Sequence, residues 1–138
     1  RGLGWFYPAE YVPSAELPDE EYPFILMTGR ILYHYNTRAM TGKTPGLMEK
    51  AGHSFIEMNT EDAARLGVAD GEKVRVTSRR GTLITTARVG EKVSPKETWM
   101  PFHFPDGNAN ILTNAALDKY ARIPEYKVCA VKVEKCES

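Results

Sequence analysis

Lys73-Val74-Arg75-Val76-Thr77-Ser78-Arg79-Arg80-Gly81-Thr82-Leu83-Ile84-Thr85-Thr86-Ala87-Arg88-Val89 reads as two strands and the turn between them. Val74 and Val76 fall on one side of an extended chain, and Arg75 and Thr77 on the other, the period of two that marks a half-buried strand. Arg79-Arg80-Gly81 turns the chain, and Thr82–Val89 returns as the partner of Lys73–Arg79. Asp70-Gly71 just upstream supplies the turn that leads into the pair.

Working outward, Asn59-Thr60-Glu61-Asp62 is a helix start. Asn59 is placed to cap it, and Asp62, three residues on, is placed to reach back to the cap backbone. The helix covers Thr60–Leu66 and stops at Gly67. Ser54–Met58 and Phe24–Thr28 read as strands, the second ended by Gly29. Between them, residues 30–46 have no clear period and form a long polar loop, with Pro45 starting a short helix through Ala51. Downstream, Glu97–Phe104 reads as a strand, residues 105–110 as a loop, Thr113–Tyr120 as helical or irregular, and Tyr126–Val133 as a closing strand. Six or seven short strands with one short helix after a strand predict a small, mainly β barrel rather than a parallel βαβ sheet.

A length of 138 residues suits one domain, and 42% hydrophobic with 26% charged residues excludes a disordered or fibrous chain. No apolar run exceeds four residues, as in Phe24-Ile25-Leu26-Met27, so no membrane span is expected. The zero net charge hides a division. Of 18 bases and 18 acids, residues 1–22 hold one base (Arg1) against five acids, so the rest carries 17 against 13. That surplus is too small to imply nucleic acid but suits a compact anionic ligand. Residues 1–23 also hold four of the nine prolines (Pro8, Pro13, Pro18, Pro23) and the aromatics Trp5, Phe6, Tyr7, Tyr11 and Tyr22. They read as an extended acidic strap, residues 1–22, with its aromatics laid against a surface, leading into a domain of residues 23–138. The chain opens on Arg1 rather than methionine, so it is expected to be part of a longer protein, with any targeting signal upstream.

The chemistry-bearing residues exclude more than they assert. His34, His53 and His103 are scattered, and Cys129 and Cys136 stand seven apart, so no metal-ligand spacing is present. A core cysteine on the last strand and a free one in the tail are expected. His53-Ser54 are adjacent on an extended segment and point to opposite faces, which argues against a catalytic dyad. Gly42-Lys43-Thr44 resembles the end of a phosphate-binding P-loop, but the first glycine and the long following helix are missing. Anion recognition remains. Thr28-Gly29-Arg30 follows a strand, so backbone N–H groups freed by a glycine turn would face a ligand, and the arginine fork suits phosphate. Arg38, Thr41 and Lys43 share that stretch, His34 and Asn36 share a face if it is extended, and Asp106–Asn110 offers amides for a heterocycle edge.

The order of motifs adds a resemblance. Tyr22-Pro23-Phe24-Ile25-Leu26-Met27-Thr28-Gly29-Arg30, then His34-Tyr35-Asn36-Thr37 and Met40-Thr41, resembles the opening of the C-terminal domain of molybdopterin oxidoreductases. The likeness continues through Asn59–Ala63, Leu66-Gly67-Val68, Val76–Gly81, Phe102-His103-Phe104, Ala109–Thr113 and Ile123–Val131. Within the family the chain looks most like the catalytic subunit of formate dehydrogenase. The resemblance implies a double-psi β-barrel that caps molybdopterin guanine dinucleotide, with molybdenum or tungsten held in the full enzyme. It implies that Thr28, Gly29, Arg30, His34 and Asn36 line the first cofactor loop and that Thr37, Arg38 and Thr41 extend it. Asn110 would bind from the second loop, and Tyr126 and Lys127 would lie near the pterin or its phosphate. The implied reaction is formate oxidation to CO2. Its metal ligand, acid–base histidine and iron–sulfur cysteines would lie in other domains, so no catalytic and no metal residue is expected here. The implied partners are those remaining domains of the same subunit and the electron-transfer subunits. The implied compartment is the cytoplasm, with the periplasm as the alternative.

Two other readings of the barrel compete. A pyruvoyl-dependent decarboxylase needs a Gly-Ser bond, and none of the eleven glycines is followed by serine. A stand-alone interaction module without cofactor would leave the arginine-rich loop unexplained.

Overall fold

Alternating burial in five short segments and near-continuous burial in a sixth set the architecture of the computed structural model, which describes residues 2–137. β1 (Phe24–Gly29) turns Phe24, Leu26 and Thr28 inward, and β2 (Phe55–Asn59) is buried on both sides. The expected hairpin is β3 (Lys73–Thr77) and β4 (Thr82–Gly90), with Val74, Val76, Leu83, Thr85 and Ala87 inward. Its tip closes through Ser78 N–H to the Gly81 carbonyl at 2.9 Å. β5 (Glu97–Pro101) and β6 (Val128–Lys135) complete a closed ring in the order β1-β5-β2-β4-β3-β6. β1 runs parallel to β5 and β2 parallel to β4, while the other four neighbouring pairs are antiparallel. Two parallel pairs within a closed six-stranded ring make this a double-psi β-barrel. Leu26, Ile56, Met58, Val74, Val76, Met100, Val131 and Val133 fill it. Closure removes the sheet edges, so among the described residues no barrel strand is left with an open edge.

Two short helices flank the ring, α1 (Pro45–Lys50) and α2 (Thr60–Leu66). Asn59 caps α2 by accepting from Glu61 N–H at 2.9 Å, and Gly67 ends it in the left-handed region at φ 65°. The expected return contact of Asp62 does not form. Its buried carboxylate instead accepts from Lys96 N–H at 2.6 Å and pairs with Arg65, so it ties the helix to the turn before β5. β5 ends at Pro101 rather than Phe104, and β6 begins at Val128 rather than Tyr126. Residues 113–127 are irregular apart from a bridge between Leu117 and Pro124.

The acidic strap docks only in part. Glu16 accepts from Ala130 N–H at 2.7 Å and from Arg80, and Asp19 pairs with Arg79, which lies over the Tyr22 ring. Upstream, Phe6 (99% exposed), Tyr7 and Tyr11 do not pack on the barrel. Proline-spaced backbone offers no ladder to hold them.

Topology decides where the loops meet. β1 and β5 are parallel and end together, with Gly29 opposite Pro101, so residues 30–44 and 102–113 leave from one end of the barrel. β6 enters at that same end, with Met27 opposite Val128 and Thr28 N–H bonded to the Lys127 carbonyl at 3.1 Å.

Candidate anion-binding cleft

Gly29 is the last residue of β1 and does not turn in the left-handed region, which corrects the expected glycine turn. It is glycine because a Cβ there would stand 2.8 Å from the Trp99 indole nitrogen. Thr28 is buried and donates its hydroxyl to the Tyr126 carbonyl at 2.6 Å, so it anchors the 126–127 segment. Arg30 follows and is exposed. Its Nε and one Nη2 hydrogen are donated to Asn36 Oδ1 at 3.3 and 3.0 Å, which leaves three N–H donors facing outward. Asn36 itself is left-handed at φ 45°, a conformation asparagine tolerates better than most residues. The stretch is therefore coiled, and His34 and Asn36 do not share a face.

His34 sinks beneath the loop, only 4% exposed. Its Nε2–H donates to the Ala51 carbonyl at 2.6 Å, and Nδ1 pairs with the Thr41 hydroxyl at 3.0 Å. Thr41 also accepts from Tyr35 N–H at 3.3 Å. Arg38, at φ 64°, donates to the Gly52 carbonyl at 3.0 Å and lies over the Phe104 ring at 4.9 Å. Thr37 is exposed at the rim. His34, Arg38 and Thr41 thus fasten the loop to α1, while Arg30, Asn36 and Thr37 face out.

The opposite wall begins where β5 ends. Phe102 stacks edge-on to Tyr126 with centroids 6.0 Å apart, and Arg30 and Lys127 each lie 5.3 Å from its ring centre. His103 beside it is 2% exposed. Burial pushes its imidazole below the ordinary histidine value, and nearby His34, Arg30 and Arg38 add to that, while the Asn36 carbonyl pulls the other way. Asn108 caps a single turn by accepting from Asn110 N–H at 3.1 Å, which presents the exposed Asn110.

Two adjoining clefts of about 400 Å³ each open between these walls. One is lined by Arg30, Asn36 and Tyr126, the other by Arg38, Lys43 and Asn108, and Thr37, Phe102 and Asn110 line both. Of the predicted residues, Arg30, Asn36, Thr37, Arg38, Asn110 and Tyr126 line these clefts and Lys127 reaches Phe102, whereas Thr28, Gly29, His34 and Thr41 are not part of the lining. Sequence reasoning missed Phe102 as a wall and Asn108 as the prop of Asn110. The signal for Phe102 was its place directly after a proline-ended strand. Among the described residues no group of three or more His, Cys, Asp or Glu side chains is placed to hold a metal ion, and no helix is long and apolar enough to cross a membrane.

Residues 24–130 match the family described as "Molydopterin dinucleotide binding domain". The chain is 49% identical over 135 residues to the F420-dependent formate dehydrogenase subunit alpha of Methanocaldococcus jannaschii, covering 98% of this chain and 20% of that protein. It is 46% identical over 138 residues to a nitrate reductase of Symbiobacterium thermophilum, covering 97% and 18%. The chain therefore spans about a fifth of the length of such relatives. Among solved structures, acetylene hydratase from Pelobacter acetylenicus superposes with a TM-score of 0.72 at 18% identity, over 85% of this chain and 19% of that one, a likeness of fold alone.

Proposed function

Because this chain belongs to the molydopterin dinucleotide binding domain family, we propose that its double cleft caps molybdopterin guanine dinucleotide inside a larger oxidoreductase. The observation that carries the reading is the pair of adjoining clefts with a shared wall of Thr37, Phe102 and Asn110, flanked by Arg30 in one cleft and by Arg38 and Lys43 in the other. A dinucleotide is long, has a heterocycle at each end and bears a pyrophosphate between them. The donor set fits it. Arg30, Arg38, Lys43 and Lys127 would neutralise the phosphates, Asn36, Asn108 and Asn110 would meet heterocycle edges, and Phe102 and Tyr126 would exclude water. When bound, the cofactor with its molybdenum or tungsten supplies the redox chemistry. The chain's own part is to hold and orient it, and no residue here is assigned to proton transfer or bond breaking.

The reaction of the whole subunit is formate oxidation to CO2, in keeping with the names of relatives near 50% identity. Residues 1–22 are the strap from the preceding part of that subunit, and residues 23–138 are the cap. Other domains would carry the metal ligand and iron–sulfur cysteines, and electron-transfer subunits would take the electrons. The protein works in the cytoplasm.

Arg30→Ala in the full-length subunit tests the reading. A charge-assisted arginine–phosphate contact contributes about 1.5–3 kcal/mol, so cofactor retention should weaken roughly 10- to 100-fold. Metal and pterin content per subunit should fall after gel filtration. Unchanged content would contradict the assignment, since Arg30 is exposed and its loss leaves the core intact.

A further inference from the structure

His103 is almost wholly buried at the edge of the Arg38–Lys43 cleft, and both of its ring nitrogens are taken by the loop that carries Arg30 and Asn36. Ile31 N–H points at its Nε2 from 3.0 Å. A backbone N–H only donates, so Nε2 must hold a lone pair. Nδ1 must then carry the proton, which it donates to the Asn36 carbonyl. The ring is thus fixed as the neutral Nδ1–H tautomer and grips the loop at two points five residues apart. Between those points the chain reverses, and Asn36, held by its own carbonyl, uses its side chain to hold two of the Arg30 donors.

We propose that His103 is the positioning residue of the Arg30–Asn36 loop, a clamp that holds Asn36 left-handed and Arg30 aimed into the cleft, and that opens when the imidazole takes up a second proton. A proton on Nε2 meets the Ile31 N–H head on, so that bond is lost and one end of the loop is freed. The ionisable groups facing the ring are His34, Arg30 and Arg38 from the loop, while Tyr126 and Lys127 of the last segment reach Phe102. The cations oppose the second proton and keep the clamp shut near neutrality. The sign follows from a lowered imidazole. The clamp is complete above the ordinary histidine value of about 6.5 and is lost as pH falls through the lower value of the closed loop. The inference deepens the cofactor reading, because what the clamp aims is the arginine assigned to the phosphates.

Nitrogen-15 NMR of the uniformly labelled chain across pH tests it. At pH 7.5 His103 should show a protonated Nδ1 and an unprotonated Nε2. Below about pH 6.5 the Ile31 and Asn36 amide signals should shift with the His103 midpoint. His103→Gln can offer one donor and one acceptor without titrating, so it should keep the loop signals and abolish their pH dependence. His103→Phe keeps the ring volume and loses both bonds, so exchange of the loop amides should rise about tenfold or more. An Nε2–H tautomer in the folded chain, or loop amides indifferent to the His103 titration, would overturn the clamp. Because no cofactor is present, that failure would leave the cofactor reading standing. Conversely, unchanged cofactor content in Arg30→Ala beside an intact clamp would sink only the cofactor reading.

Discussion

Two glycines at the cleft are there for want of space. A Cβ on Gly29 would press on the Trp99 ring, and one on Gly107 would overlap the buried Ser54 side chain, with Oγ only 2.5 Å away. Trp99 is partly exposed and has room to tilt, whereas Ser54 is held by its hydrogen bond to the Gly107 carbonyl at 3.1 Å. Gly29→Ala should therefore cost about 1 kcal/mol and Gly107→Ala about 2–3 kcal/mol in thermal or urea unfolding. Equal stability of the two variants would refute this account of both positions. Cys129 is equally a matter of place. Burial in β6 pushes its thiol up to about 11, so it stays protonated and inert at neutral pH. The place of Arg30 at the cleft could be read from the sequence, because it directly follows the glycine that ends a strand. The inward roles of His34 and Arg38 could not. Both depend on left-handed turns at Asn36 and Arg38 that no residue pattern announces.

At the scale of elements, the docked part of the strap is a latch with one main bolt. Glu16 is largely buried and joins three things at once, the Arg80 guanidinium, Arg79 and the Ala130 N–H of β6. Arg80 in turn donates to the Leu112 carbonyl at 2.7 Å, so the β3–β4 turn, the strap and the end of the second loop share one network. Its hydrogen bond to Arg80 is the main reason the Glu16 carboxyl is held below the usual carboxylate range, against the opposing effect of burial. A lowered carboxylate stabilises the docked strap fully above its ordinary value. That contribution disappears as pH falls through the value in the docked state. Glu16→Gln should cost about 1–3 kcal/mol near neutral pH and flatten the acid limb of the stability profile. Proteolytic cleavage within residues 13–22 should accelerate in parallel. A variant as acid-sensitive as the parent would show that the latch lies elsewhere. The elements themselves were legible. Alternation at Val74 and Val76, the Asn59 cap and Gly67 give strand and helix by local physics alone. Asp62 was not, because the Lys96 N–H that claims it lies 34 residues away and becomes a neighbour only when the barrel closes.

For the molecule as a whole, a neutral sum of charges resolves into an acidic strap and a basic body. Short strands with few short helices between them already pointed to a small β barrel, and the resemblance supplied its double-psi type. Sequence alone could not foresee that β1, β5 and β6 bring three separate loops to one end. That follows from the parallel register of Gly29 with Pro101 and from Met27 opposite Val128. The upstream part of the strap is exposed on this chain. Leu3, Trp5, Phe6, Tyr7 and Tyr11 are each at least three-quarters exposed, more clustered apolar surface than a free monomer usually shows. The relatives named above are about five times longer than this chain. The central claim is that one barrel end holds the dinucleotide. Hydrogen–deuterium exchange of the full-length subunit, with and without its cofactor, tests it most directly. Cofactor should slow exchange together in residues 30–43, 102–110 and 126–127. Unchanged exchange in those three segments, with protection confined to other parts of the chain, would contradict it.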